Sequence, residues 1–92
     1  MIRSFKHRGL KRLYERGDRS GIRPDLLERV EDILGRLDVA TMPQALDVPG
    51  YHLHPLKGDL QGMWSVTVRA NWRIIFRFQG KDAFDVELID YH

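Results

Sequence analysis

Between Trp64 and Phe78 apolar and polar positions alternate with a period of two. Trp64, Val66 and Val68 are separated by Ser65 and Thr67, and Trp72, Ile74, Phe76 and Phe78 alternate with Arg73, Ile75 and Arg77. That pattern predicts two half-buried strands. Residues that flank a hairpin loop share a face, so placing Val68 and Trp72 together on the core side makes the loop Arg69-Ala70-Asn71. Asn71 is then the expected positive-φ residue, because Asn tolerates that conformation. Ala83 to His92 reads as a further strand, with Phe84, Val86 and Leu88 inward and Asp85 and Glu87 outward.

Helical spacing governs the first half of the chain. Leu10, Leu13 and Tyr14 recur at i, i+3, i+4 and predict a short helix over Lys6–Arg16, weakened by Gly9 and stopped by Gly17. Leu26, Leu27, Val30, Ile33, Leu34 and Leu37 form one stripe and predict a stronger helix from Pro24 or Asp25 to Leu37. Asp25 and Glu28 are spaced as a capping box. No chemistry is expected on this second helix. Met1–Phe5 reads as a short edge strand, with Ile2 and Phe5 on opposite faces. Residues 40–50, with Pro43, Pro49, Gly50 and a helical turn near Gln44–Leu46, form a long connection.

The order β-α-α-β-β-β describes an α+β domain spanning residues 1–92. Its two N-terminal helices would pack on one face of a small antiparallel sheet. The other face, carrying Arg73 and Arg77, would stay open for binding.

Composition narrows the class. Of the 92 residues, 42% are hydrophobic and 30% charged, which suits one modest core and excludes a disordered chain. There are no cysteines, so disulfides and thiolate metal sites are excluded. No apolar run approaches a membrane span and no signal segment opens the sequence, so the expectation is a cytoplasmic protein. The net charge of +2 is unevenly spread: residues 1–23 hold eight Lys/Arg against Glu15 and Asp18. Such a basic segment fits nucleic acid or an acidic partner.

Ionisable side chains gather at two places. His52 and His54 precede the hairpin, one residue apart on an expected strand, and the chain closes on Asp90-Tyr91-His92. Two readings follow. His52, His54, Asp90 and His92 could ligate a divalent metal, although a lone HxH is a weak motif. Alternatively His54 and His92 could cut RNA without metal: a base takes the proton of a 2′-hydroxyl that attacks phosphorus, an acid protonates the departing 5′-oxygen, and cations steady the added charge. Lys57, Arg69 and Arg73 are placed to contact phosphate. Tyr91 can stack on a base or share a proton, and Asp90 can orient an imidazole. This reading requires His54 and His92 to meet in space.

Four motifs together carry a resemblance. Ile2-Arg3-Ser4-Phe5-Lys6-His7, Leu53-His54-Pro55-Leu56-Lys57-Gly58, the run Trp64 to Arg73 and the terminal Asp90-Tyr91-His92 closely resemble the HigB toxins of the RelE superfamily. The resemblance covers the whole chain and matches the family least at residues 39–51. It implies a RelE-like α+β fold and an endoribonuclease that cuts translated mRNA in the ribosomal A site, inhibiting translation, with no metal or cofactor. It matches His54, Asp90, Tyr91 and His92 to catalytic positions and Lys57 and Arg73 to basic positions at the site. Asn71 becomes a base-contacting candidate. The implied partner is a helix-turn-helix antitoxin of the HigA type, through which alone operator DNA would be bound. A non-catalytic module of the same fold that binds RNA or a partner is the competing class. A DNA-binding regulator acting alone lacks a recognition helix.

Overall fold

The computed structural model describes residues 1–91. Four strands, β1 (His54–Pro55), β2 (Trp64–Arg69), β3 (Trp72–Gln79) and β4 (Asp82–Asp90), pair antiparallel in the order β1-β2-β3-β4. Two helices, α1 (Arg8–Arg16) and α2 (Pro24–Val39), precede them. The apolar stripe of α2 meets Val66, Val68, Ile74, Phe76, Ala83, Val86 and Leu88 in one core, where Val30, Ile33, Leu37, Ile74 and Phe76 are fully buried. Burying each such side chain is worth roughly 1.5–3 kcal/mol relative to leaving it in water.

The N-terminal segment lies along the outer edge of β4 as two parallel bridges, Ile2 to Ala83 and Phe5 to Val86. Ile2 is buried and Phe5 packs against the core, so both turn inward rather than to opposite faces. The cause is a bulge in β4. Ile75 pairs with Glu87 but Arg77 pairs with Phe84, so β4 carries one extra residue there, and Asp85 takes a left-handed φ of 56°. The alternation expected for β4 therefore changes phase. Val86 and Leu88 face the core, but Ala83 replaces Phe84, and Phe84 lies under the Arg77 guanidinium at 5.1 Å. Ser4 Oγ accepts the Asp85 N–H at 2.9 Å and Arg77 Nε donates to the Asp85 carboxylate at 2.7 Å, which together hold the bulge.

The helix ends show two kinds of cap. His7 Nδ1 accepts the Leu10 N–H at 3.1 Å and begins α1, while Gly17, at φ 67°, ends it as the sequence predicts. The capping box expected at α2 does not form. Pro24 opens the helix, so Asp25 lies inside the first turn and pairs with Arg23 at 2.8 Å. Gly9 also has a role that helix propensity does not show. A Cβ there would sit 2.5 Å from the Gly21 carbonyl oxygen, so the two backbones touch where α1 crosses the connection to α2.

The β2–β3 loop differs from the three-residue expectation. Arg69 pairs with Trp72, leaving Ala70-Asn71 as the turn and Val68 as an extra residue on β2. The positive φ falls on Ala70, at 51°, not on Asn71. Val68 keeps its place in the core because the bulge absorbs the odd residue. On the other sheet face Ile75 and Ser65 are buried outside the main core, as is Leu56, whose N–H donates to Met63 O at 2.9 Å. That face is thus closed toward β1 rather than open throughout.

Candidate active site

Cross-strand partners share a face, so register assigns the candidate residues to sides of the sheet. His54 on β1 pairs with Ser65, Ser65 with Ile75, and Ile75 with Glu87. The adjacent row on the same face is Thr67, Arg73 and Ile89. Tyr91 follows Ile89 by two, and its N–H donates to Asn71 O at 2.8 Å, extending the ladder past β4. His54 and Arg73 therefore lie on the face away from the helices, two strands apart and one row out of line, a backbone separation of about 12 Å at ordinary strand spacing. Tyr91 is 43% exposed, open enough for a flat ring to meet a base.

Individual side chains are held to different degrees. His54 is exposed, and its Nδ1 lies 3.1 Å from the carbonyl oxygen of His52. His52 has a left-handed φ of 52°, so the two imidazoles are not the same-face pair that a continuous strand would give. Arg73 folds back over the hairpin, donating from Nη1 to the carbonyls of Ala70 and Trp72. This fixes its position and leaves the rest of the guanidinium for an anion. Lys57 is exposed at the start of a 3₁₀ turn, Gly58–Leu60. Arg77, expected to add charge to this face, is tied to Asp85, and its guanidinium holds that carboxyl below the usual range.

Two residues fall on the other side. Asp90 pairs with Trp72, whose side chain packs against the core and carries the Arg23 guanidinium 5.5 Å from its ring. Arg69 lines a cleft of about 370 Å³ with Asp25, Glu28, Arg29 and Val68, between the first turns of α2 and the hairpin. The expected meeting of His54 with His92 concerns a residue outside the described ones, as does the four-ligand metal set. Among the described residues no group of three or more His, Asp or Glu could hold a metal ion.

Comparison with known proteins decides the family. Residues 3–92 match the family described as "RelE-like toxin of type II toxin-antitoxin system HigB". The chain belongs to this family. It is similar over the full length of both chains, at 51% identity, to the protein named Endoribonuclease HigB from Proteus vulgaris. Among solved structures, YafQ from E. coli strain BL21(DE3) superposes with a TM-score of 0.61 at 18% identity, covering 95% of this chain and 87% of that one. A YoeB/ParE toxin from Agrobacterium tumefaciens gives 0.54 at 20% identity, covering 100% and 99%. These distant likenesses concern the fold, which is RelE-like as the sequence resemblance implies. A type II toxin has an antitoxin partner. No helix among the toxin's described residues is long and apolar enough to cross a membrane.

The toxin's connection at residues 40–52 holds what the periodicity reading missed. Tyr51 is buried, its hydroxyl donates to the Asp32 carboxylate, and its ring lies 5.0 Å from the Arg29 guanidinium. Arg36 pairs with Asp32 at 3.3 Å and lies 5.9 Å from the same ring. Burial, with the neighbouring Asp32 charge, pushes the Tyr51 phenol up to about 12. The signal was present in the sequence. Arg29, Asp32 and Arg36 are spaced i, i+3, i+7 along one edge of α2, a helix expected to carry only packing.

Proposed function

We propose that this HigB-family endoribonuclease cuts mRNA in the A site of the translating ribosome, by general acid–base chemistry that needs no metal. The 2′-oxygen attacks the adjacent phosphorus as one imidazole takes its proton. The P–O5′ bond breaks as a second group returns a proton to the 5′-oxygen. The products are a 2′,3′-cyclic phosphate and a 5′-hydroxyl. His54 and His92 divide the proton transfers, Tyr91 stacks on a base or shares a proton, and Asp90 orients an imidazole. Lys57 and Arg73 steady the charge on the phosphate, and Asn71 contacts the RNA from the hairpin turn.

The observation that carries this reading is the sheet face with His54 exposed at one side and Arg73 fixed in the middle. A shallow face suits a single strand supplied by a larger particle, since the ribosome would provide the alignment that a deep cleft provides elsewhere. The basic segment 1–23 would contact ribosomal phosphates. Arg8, Lys11 and Arg16, on the outer side of α1, make no ion pair among the described residues. The neutralising partner would be a HigA-type antitoxin, with operator DNA bound only through it, in the cytoplasm.

The test is translation of a defined mRNA with wild-type toxin, His54→Ala and His92→Ala, mapping the new 5′ ends. Cuts in register with the reading frame, reduced on the order of 10²–10⁴-fold in each variant, are expected. Equal cutting by all three proteins would remove both imidazoles from the mechanism. Growth arrest that survives loss of both histidines would favour the non-catalytic module.

A further inference from the structure

His54 is exposed, yet the backbone before it is held at several points. Tyr51 O accepts the Thr67 N–H at 2.7 Å, joining the connection to β2 just beside the strand partner of His54. Arg29 Nη1 donates to Gly50 O at 3.3 Å and to Thr67 O at 3.4 Å, bracing the same junction from α2. The Tyr51 side chain is clamped between Asp32 and two guanidinium groups. With residue 51 fixed, the chain reverses through the left-handed conformation of His52, one that residues with a Cβ adopt only rarely. The reversal brings the His52 carbonyl oxygen to 3.1 Å from Nδ1 of His54.

A carbonyl oxygen only accepts, so the nitrogen facing it must carry the proton. A neutral imidazole has one N–H and one lone pair, so the lone pair then falls on Nε2.

We propose that Tyr51 and the left-handed turn at His52 are positioning residues for His54: they hold its neutral ring as the Nδ1–H tautomer and leave Nε2 to exchange a proton with the RNA. This rests on the proposed role of His54. It also gives the 40–52 connection a task, since α2 grips it through the Tyr51 side chain and the Gly50 carbonyl. The His52 side chain takes no part; its backbone conformation does. Glycine accepts φ near 50° without strain and a β-branched residue resists it, so His52→Gly and His52→Val separate the two contributions.

The direct test is a long-range ¹H–¹⁵N correlation spectrum of ¹⁵N-histidine-labelled full-length toxin above the imidazole titration range, with His54 assigned by its loss in His54→Ala. A protonated, pyrrole-type Nδ1 with a pyridine-type Nε2 is expected. The reverse pattern in the folded wild type overturns the proposal. His52→Gly should retain the Nδ1–H pattern and His52→Val should shift toward Nε2–H. On programmed ribosomes His52→Val should then cut about tenfold more slowly than His52→Gly, in line with a small misplacement of a reacting group. Should the two variants share tautomer and rate, the turn has no positioning role. If His54→Ala cuts like wild type while the wild-type spectrum shows Nδ1–H, the catalytic reading fails and the tautomer assignment stands.

Discussion

Two glycines lie inside helices of this toxin, and the same substitution at each should move stability in opposite directions. Gly35 is exposed in α2, and a Cβ added there meets nothing within 4 Å. Gly35→Ala should therefore gain the intrinsic helix preference of alanine, about 1 kcal/mol. Gly9, at the second position of α1, would gain at most the same preference. Its new methyl, however, would lie 2.5 Å from Gly21 O, 2.9 Å from Gly21 C and 2.9 Å from a His7 ring carbon. Two of those neighbours are backbone, so relief requires the α1–α2 connection to move by several tenths of an ångström or more. Overpacking of this kind costs about 1–3 kcal/mol, which cancels the helix preference and leaves a net loss of up to about 2 kcal/mol for Gly9→Ala. For a domain of this size each 1 kcal/mol moves Tm by roughly 4–8 °C. Urea denaturation followed by far-UV circular dichroism and by tryptophan fluorescence measures both variants, the midpoint being compared at constant m. Gly21→Ala should reproduce the Gly9→Ala loss, and the double variant should fall short of additivity because the two sites share one contact. A gain in stability for Gly9→Ala matching that of Gly35→Ala would refute the claim that backbone contact, not helix propensity, sets this residue.

Ala70 holds a positive φ in the β2–β3 turn, so Ala70→Gly should stabilise by about 0.5–1 kcal/mol, read as a higher urea midpoint. Tyr51→Phe removes the hydroxyl from a half-exposed Asp32 that water can partly serve. A loss of about 1–2 kcal/mol in the same assay is expected; no loss would show that ring burial alone anchors the connection. Burial depresses the His7 imidazole below its usual 6.5, opposed by Glu87 and assisted by Arg12. The folded state thus favours neutral His7, and stability should fall as pH drops from 6.5 through the folded-state value, then level off. His7→Asn, which keeps a cap acceptor but does not titrate, should flatten that window in pH-dependent thermal melts. A second loss should begin only near pH 4, as Asp32 and Asp85, both held below 3.8 by their hydrogen bonds, are protonated.

The sequence by itself determined what depends on near neighbours. The stripe of α2, the alternation of β2 and β3, the Gly17 stop and the α+β order are all written in spacings of two to four residues, because each element buries one face. The four motifs also sufficed to place the chain among the HigB toxins. What only the tertiary structure decided depends on partners distant in the chain. The bulge at Asp85 exists because Ser4 and Arg77 are there to hold it, and it puts Ala83 rather than Phe84 in the core. Asp25 lost its capping role to Pro24 and Arg23, and Arg77 lost its free charge to Asp85. The candidate site divides in the same way. His54 and Arg73 were legible as residues of the right type, but their shared face rests on the register of β1 with β2 and β2 with β3, which the sequence does not state. The grip of α2 on Tyr51, and through the His52 carbonyl on His54, was not legible, because periodicity describes how one element faces the core and says nothing of which loop that element holds.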